Sequence, residues 1–385
     1  MAAVDTRLER TAFWALTISL AVAPINLLTA QVAFGVAAIL WGIDVARHGR
    51  SAVPPFFWAL VAYGAWTLLS ACFSGDPRSS IIDCKQLVLF LVVPLVARFA
   101  RGDRALTTLN VVIAVGAFSA LIGVIEFTML GYNDLANRPT GLLSHYMTYS
   151  GVIMLILGAA VARLIYYPAE RIWPAIAVPA LLVALAVTYA RNAWIGALAS
   201  IGALLAIRRL RLLILLPLLV VLFMVAAPAG LRDRAFSIFD RHDPTNRDRI
   251  AMLTIGRRIV ADHPFFGVGP DRVKAVYTQY RPPEAVNPTN PHLHNVPVQI
   301  AAERGLPALA LWTIFIVMAA LSLVRQLRQD RAPAIAGAGL AAIVAMLAAG
   351  LFEYNFGDSE FLMLFLGLIT LPFAAIEARN DRAAS

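Results

Sequence analysis

The chain has 385 residues, of which 60% are hydrophobic and 14% are charged, and its mean hydropathy is +0.73. So few charges cannot solvate the surface of a soluble globule of this length, so the composition excludes that class and indicates an integral membrane protein. The formal net charge is +9, but the basic residues lie in short clusters between apolar segments. We therefore attribute this charge to membrane topology and not to nucleic-acid binding.

Apolar segments of about 20 residues are long enough to cross a bilayer. Two of them are crowded into residues 11–46 around a turn at Pro24–Asn26, so both helices are expected to be short or tilted. Ten further segments bring the predicted total to twelve: 56–73, 82–98, 105–130, 145–166, 172–189, 192–207, 211–228, 306–324, 333–351 and 359–377. The sequence thus predicts an all-α polytopic membrane protein.

Charge then orients the predicted helices. Arginine clusters occupy every second connection, whereas the opposite short loops carry only Arg78, Lys85, Arg138 and Arg191. Because cytoplasmic loops are enriched in Lys and Arg, both chain ends should be cytoplasmic and the long polar stretch should face outward.

The same pattern divides the chain into three parts. Residues 1–230 hold nine predicted spans, residues 231–305 form the outward loop, and residues 306–385 hold three spans and a cytoplasmic tail.

We expect the chemistry to lie in the stretch from Leu231 to Arg304, which holds eleven Lys and Arg residues and four of the six histidines. Residues 251–260 have the apolar spacing of an amphipathic helix, and a turn rich in Pro and Gly follows at 262–270. A second short helix is predicted over 271–280, and residues 281–291 contain too many prolines for either regular element.

His294 lies just before the helix that is predicted to begin near Val296, at the membrane boundary. An imidazole can take up a proton at neutral pH, so His294 is a candidate general base; a histidine bonded to backbone in an interfacial loop is the structural alternative. His292 is two residues away, and His242 and His263 share the loop, so metal binding is a third hypothesis. No HExxH or CxxC motif accompanies them, and we predict neither metal nor cofactor.

Arg191 is the only basic residue between Ala175 and Ile207 and lies at the outward turn of a predicted helical hairpin. Ionisable residues at the edge of hydrocarbon are costly and usually serve a pathway or a ligand. The planar guanidinium matches phosphate oxygens through two hydrogen bonds, which favours an anion-binding role. The alternative is an arginine that snorkels to the outer lipid headgroups.

Arginines of the loop could join Arg191 around an anionic group. Candidates are Arg249, Arg257 and Arg272, and the first two lie with Arg247 and Arg258 on the predicted helix. A solvated or headgroup-binding face is the alternative for such a run. No Walker motif, DxD pair or Ser/His/Asp set occurs, so an ATP-driven transporter and a soluble nucleotide-sugar transferase find no support.

Taken together, the polytopic pattern, the turn from His263 to Pro270, His294-Asn295 and Gly305 resemble the O-antigen ligase and polymerase superfamily, and its ligases most closely. The family pattern after the histidine usually continues Gly-x-x-Gly, whereas this chain has Gly305-Leu-Pro-Ala308. We interpret the difference as a variation in helix packing.

The resemblance implies a GT-C-like glycosyltransferase of the bacterial inner membrane with a periplasmic active site. Ligases of this family transfer O-antigen from undecaprenyl pyrophosphate to a hydroxyl of lipid A–core, without nucleotide or metal. By resemblance, His294 is the general base, and Arg191 and, less closely matched, Arg249 are catalytic arginines. Substrate-binding roles are expected for Arg257, Arg272, Asn295 and His292. We expect a monomer among membrane lipids, with no nucleic-acid partner.

Three alternatives stay open at this point: an O-antigen polymerase, a protein O-oligosaccharyltransferase, and a transporter of lipid-linked sugars. Charges gathered at one outer edge, with Glu126 as the main exception, favour catalysis over transport. The sequence leaves undecided whether Glu353 or Asp358 orients His294. Cys72 and Cys84 are expected to be buried free thiols, with a disulfide as the alternative.

Overall fold

The structure is a computed structural model that describes the backbone of residues 6–49 and 51–384 and the side chains of residues 7–49 and 51–376. All regular structure within these ranges is helical. The α-helices are α1 (Thr6–Val22), α2 (Leu27–His48), α3 (Phe56–Cys72), α4 (Pro77–Asp83), α5 (Val92–Phe99), α6 (Asp103–Met129), α7 (Tyr146–Tyr166), α8 (Ile172–Val187), α9 (Arg191–Arg208), α10 (Leu215–Ala226), α11 (Ala229–Phe236), α12 (Pro244–Asp262), α13 (Val273–Tyr280), α14 (Val296–Arg328), α15 (Pro333–Ala349) and α16 (Ser359–Ala384). Short 3-10 helices lie at Cys84–Leu91, Pro168–Glu170, Leu210–Ile214 and Asn355–Gly357.

Every predicted span coincides with helix in the described chain, but fewer are long and apolar enough to cross a bilayer. Six qualify within the described residues: Leu27–His48, Pro77–Phe99, Asp103–Met129, Tyr146–Tyr166, Val296–Arg328 and Ser359–Ile376. The chain is therefore an all-helical membrane protein, and the number of twelve spans stays a prediction. The predicted cytoplasmic position of the chain ends involves residues 1–5 and 385, which lie outside the described residues.

Helices α7, α15 and α16 form the centre of the bundle, and α7 is buried without interruption from Tyr149 to Arg163. Small residues let neighbouring helices approach closely. A Cβ added at Gly196 of α9, for example, would lie 2.3 Å from Sδ of Met154. The periphery is apolar instead, with Leu28 on α2 and Leu218 on α10 more than half exposed.

Gly305 interrupts α14 with backbone angles φ 81° and ψ 171°. The turn predicted at residues 262–270 docks against this break: the amide of Leu306 donates to the carbonyl of Pro264 over 2.8 Å, and the amide of Val268 donates to that of Ala302 over 2.9 Å. A Cβ at Gly305 would lie 1.9 Å from the Phe265 carbonyl oxygen, so only glycine allows this approach.

The polar loop has a small apolar core of its own, which packs on the start of α14. Its buried members include Met252, Ile255, Ile259, Tyr277 and Leu293. The predicted amphipathic helix is confirmed and is longer than expected, because Asp243 caps α12 by accepting from the amide of Asn246. The second helix begins at Val273, two residues later than predicted.

Both cysteines are free, as predicted, and Cys84 is buried. The expectation of two buried thiols is wrong for Cys72. This residue ends α3 beside the exposed Phe73, on a side of the helix that the bundle leaves uncovered.

Candidate functional site

His294 lies in the turn that leads into α14 and has φ +47°, a left-handed conformation that a Cβ disfavours. Both polar atoms in the side chain of the next residue, Asn295, form hydrogen bonds. Oδ1 of Asn295 accepts from the amide of Val298 over 3.0 Å, and Nδ2 donates to the carbonyl of Leu351 over 3.0 Å. The cap on α14 therefore fixes the strained turn and ties it to the segment that follows α15.

Glu353, in that segment, faces the imidazole. Nδ1 of His294 lies 2.8 and 2.9 Å from the two carboxylate oxygens of Glu353, and the amide of Tyr354 donates to Oε1 over 2.9 Å. Burial alone would raise the pKa of this carboxyl, but His294 and His292 outweigh burial and hold the pKa well below its ordinary value. An ionised carboxylate at Nδ1 places the ring proton there, which leaves Nε2 as a proton acceptor.

The structure thus answers which carboxylate orients His294: it is Glu353. Asp358 instead accepts a hydrogen bond from Oγ1 of Thr148 over 3.2 Å. Burial, together with the negative charge of Glu353, raises the pKa of Asp358 to about 7.

His292 is the second imidazole beside this carboxylate. Its Nε2 lies 3.5 Å from Oε1 of Glu353, and its ring centroid lies 4.6 Å from that of His294. The side chains of His292 and His294 are 34% and 21% exposed, so both are reachable from outside. The donor atoms of the three residues lie within 4.8 Å of one another, close enough to ligate one ion.

Arg249 approaches the same site from α12. Its guanidinium carbon lies 5.8 Å from the ring centroid of Phe352, the residue before Glu353. Burial lowers the pKa of Arg249, Glu353 raises it, and Arg191 lowers it further, with a net decrease. Among the described residues Arg249 has no hydrogen-bond or ion-pair partner, so its donors are available to an anion.

Arg191, the first residue of α9, is buried, and both terminal nitrogens of its guanidinium form hydrogen bonds within the protein. Nη1 donates to the carbonyl and to Oγ of Ser237, each over 2.8 Å. Nη2 donates to Oδ1 of Asp243 over 3.2 Å and to Oδ1 of Asn246 over 2.9 Å. The arginine fork thus ties the α8–α9 turn to the start of α12, the helix that carries Arg249.

Two further arginines lie in this region, Arg138 and Arg234, neither of which the sequence predicts to belong to the site. Arg234 lies 3.6 Å from Asp243, and burial together with repulsion from Arg191 and Arg138 lowers its pKa to about 10. Burial also lowers the pKa of Arg138, whose guanidinium carbon lies 4.2 Å from the ring centroid of Tyr146. We call Arg138, Arg191, Arg234 and Arg249 the arginine cluster.

His145, at the start of α7, adjoins the histidine pair as well and was also missed. Burial lowers its pKa, Glu353 raises it, and His292 and Arg138 lower it further. No sequence spacing joins His145, Arg138 and Arg234 to His294; the one available signal was that Arg138 is a rare basic residue on a short loop predicted to face outward.

Other predicted residues have different surroundings. Arg257 is exposed, and Arg272 pairs with Asp76 over 3.2 Å; no interaction of either residue within the described chain joins it to the arginine cluster. Glu126 accepts from the amides of Thr140 and Gly141, so this buried acid holds the loop that bears Arg138.

The site therefore combines a histidine–carboxylate pair with nearby arginines at one end of a helical bundle, an arrangement suited to transfer of a group from an anionic donor. Residues 175–313 match the family model described as O-antigen ligase. The match supports the resemblance drawn from the sequence, and the matched segment contains Arg191, Arg249 and His294. Glu353 lies beyond the matched segment. A search of the curated proteins found no match.

Proposed function

We propose that the protein is an O-antigen ligase, which transfers O-antigen from undecaprenyl pyrophosphate to a hydroxyl of lipid A–core. The observation that carries this proposal is the His294–Glu353 pair, with the guanidinium of Arg249 beside it, which has no hydrogen-bond or ion-pair partner among the described residues. A base next to a cationic anion site is what glycosyl transfer from a pyrophosphate donor requires.

In the proposed reaction, Nε2 of His294 accepts the proton of the acceptor hydroxyl. The hydroxyl oxygen bonds to the anomeric carbon of the glycan as the bond from that carbon to the pyrophosphate oxygen breaks. Undecaprenyl pyrophosphate leaves with the bonding electrons, and ionised Glu353 stabilises the imidazolium that forms.

The arginine cluster supports the other half of the reaction, because charge develops on the pyrophosphate as it departs. Arg249 is proposed to bind the phosphate oxygens directly. For Arg191 the proposed contribution is to hold α12 in place and to add positive potential, since both of its terminal nitrogens already bond within the protein. Arg234 and Arg138 add to the same potential.

Lipid-anchored substrates also account for the location of the site. We propose that it faces the periplasm, on a loop at residues 231–305 held between two sets of inner-membrane helices, 1–230 and 306–385. The polyprenyl tail of the donor then stays in the bilayer while its phosphates lie at the interface.

The acceptor distinguishes a ligase from a polymerase, because both reactions use the same base and the same donor chemistry. A strain lacking this gene should accumulate long lipid-linked O-antigen and display bare lipid A–core, as analysed by gel electrophoresis of purified lipopolysaccharide. Complementation with the intact gene is the positive control, and with His294→Ala the negative one. Core capped by a single repeat unit in the deletion strain would identify a polymerase instead.

A further inference from the structure

The pair His292 and His294 gains a third donor in the folded chain. Two imidazoles and one carboxylate are a donor set typical of Zn²⁺ and other divalent transition metals. Here one nitrogen of each imidazole and a carboxylate oxygen of Glu353 lie within 4.8 Å of one another. The nitrogens that face Glu353 are Nε2 of His292 and Nδ1 of His294. Glu353 is nearly inaccessible, while both imidazoles are partly exposed, so an ion could enter and keep a water ligand.

The two distances from the imidazoles to the carboxylate are close to those around one ion. A tetrahedral zinc site with bonds of about 2.0–2.2 Å separates its donor atoms by about 3.3–3.5 Å. His292 and Glu353 are already 3.5 Å apart, whereas His294 and Glu353 are 2.8 Å apart. The second distance belongs to a hydrogen bond and needs to lengthen by less than an ångström.

We infer that His292, His294 and Glu353 form a binding site for one divalent transition metal of the Zn²⁺ class, and that the bound ion blocks the base function of His294. The blocking part rests on the proposed function. When Nδ1 donates its lone pair to a metal, a neutral imidazole must carry its proton on Nε2. The atom proposed to accept the hydroxyl proton is then itself a donor.

Arg249 sets an upper limit on the affinity. Its positive charge lies beside Glu353, which is the one carboxylate in the donor set. Like-charge repulsion therefore weakens binding of any cation, and we expect micromolar rather than nanomolar affinity.

Binding is tested on the full-length purified protein in metal-free detergent solution, titrated with Co²⁺, whose visible absorption reports coordination geometry. One ion per chain with a four-coordinate spectrum is expected, displaced by Zn²⁺ but not by Mg²⁺, which prefers six oxygen ligands. His292→Ala should weaken binding at least tenfold. His263→Ala, which changes an exposed histidine of the same loop, should leave binding unchanged.

Thermal unfolding of each metal-free variant checks its folding, and His292→Asn provides a second removal of the ligand. Binding that survives both His292 variants, or falls equally in His263→Ala, would overturn the site. Absence of Co²⁺ binding to the native chain would also overturn the metal site. It would leave the proposed function standing, because the transfer rate of His294→Ala tests the base independently. Transfer activity that chelation abolishes and Zn²⁺ restores would overturn the blocking effect and, with it, the proposed base.

Discussion

His294 is a non-glycine residue held in a left-handed conformation in the turn before α14, beside the segment that follows α15. Such strain persists only where surrounding contacts over-determine it, and it concentrates at functional sites. Here the contacts are the Asn295 cap and the bonds from Nδ1 to Glu353. His294, Asn295 and Glu353 therefore hold one another in place, and a change at one of them should affect the others.

Glu353→Gln should lower transfer by about 10²-fold or more, because a neutral amide neither fixes the tautomer of His294 nor stabilises its imidazolium. His294→Ala should lower it by about 10²–10⁴-fold. Since the two residues act as a unit, the double variant should be no worse than His294→Ala alone. Initial rates with purified lipid-linked donor and lipid A–core measure this.

Glu284→Gln, at an exposed loop position, is the matched control and should keep the native rate. Losses that multiply in the double variant would show that Glu353 acts separately from His294. If His292→Ala were more damaging than His294→Ala, the base would be assigned to the wrong imidazole.

Arg249→Lys should raise the donor KM and reduce transfer, because lysine keeps the charge but loses the planar fork that binds phosphate oxygens. Arg258→Lys, on the same helix, is the matched control; its guanidinium is exposed and donates to the carbonyl of Tyr280. Equal kinetics for the two lysine variants would remove Arg249 from the phosphate site.

Asp358 provides a prediction about pH. Its pKa is about 7 in the folded chain, against an ordinary value of 3.8, so the folded state holds this proton more tightly than the unfolded state. The resulting stability is full below about pH 4 and is lost as the pH rises to about 7. Asp358→Asn keeps the acceptor for Thr148 without a proton to lose. Its melting temperature relative to the native chain should therefore increase from pH 4 to pH 8, and a difference that is constant across this range would contradict the argument.

Among the structural elements, the turn at residues 262–270 connects the polar loop to the membrane helices. Gly267 and Gly269 have φ of +64° and +103°, and the amides of Val268 and Gly269 donate to carbonyls at the end of the first part of α14. Phe266 packs between Trp66 and Phe73 with nearly parallel rings. The turn from His263 to Pro270 thus has a structural role: it positions α14 and, through this helix, His294.

Gly305→Ala should destabilise the contact between this turn and α14, because the added Cβ would lie 1.9 Å from the Phe265 carbonyl oxygen and the backbone has positive φ. Gly75→Ala is the control, since a Cβ there has no atom within 4 Å. Thermal unfolding in detergent and the yield of monodisperse protein measure the effect. Equal melting temperatures for the two variants would show that the turn can move away from the added Cβ without loss of stability.

For the whole molecule, the distribution of apolar surface separates a buried central group of helices from a periphery suited to lipid. The centre uses small residues for close packing, while α2 and α10 present large apolar side chains outward. A soluble protein would not expose so many of them. The arginine cluster and the histidine pair lie together at one end of this bundle. The proposed mechanism therefore depends on which side of the membrane this end faces.

Orientation is tested by cysteine labelling in a Cys72→Ser/Cys84→Ala background. Glu284→Cys should react with a membrane-impermeant maleimide applied from the periplasm, and Gln329→Cys should not, because cytoplasmic loops concentrate arginine. Both native residues are exposed, so accessibility within the protein is matched. Permeabilised cells, in which both positions should react, are the control. Reversed labelling would end the proposal of a periplasmic site.

The sequence alone predicted a helical membrane protein, the helix positions and the turn at residues 262–270, and it singled out Arg191, Arg249 and His294 as candidates, because hydropathy, proline, glycine and charge act over short chain distances. It could not assign Glu353 to His294, 59 positions apart, or gather Arg138 and Arg234 beside Arg191. These pairings depend on which helix ends meet, and that is decided by packing across the bundle. Tertiary structure also decided that the fork of Arg191 faces Ser237, Asp243 and Asn246, since only the folded loop brings those acceptors within reach.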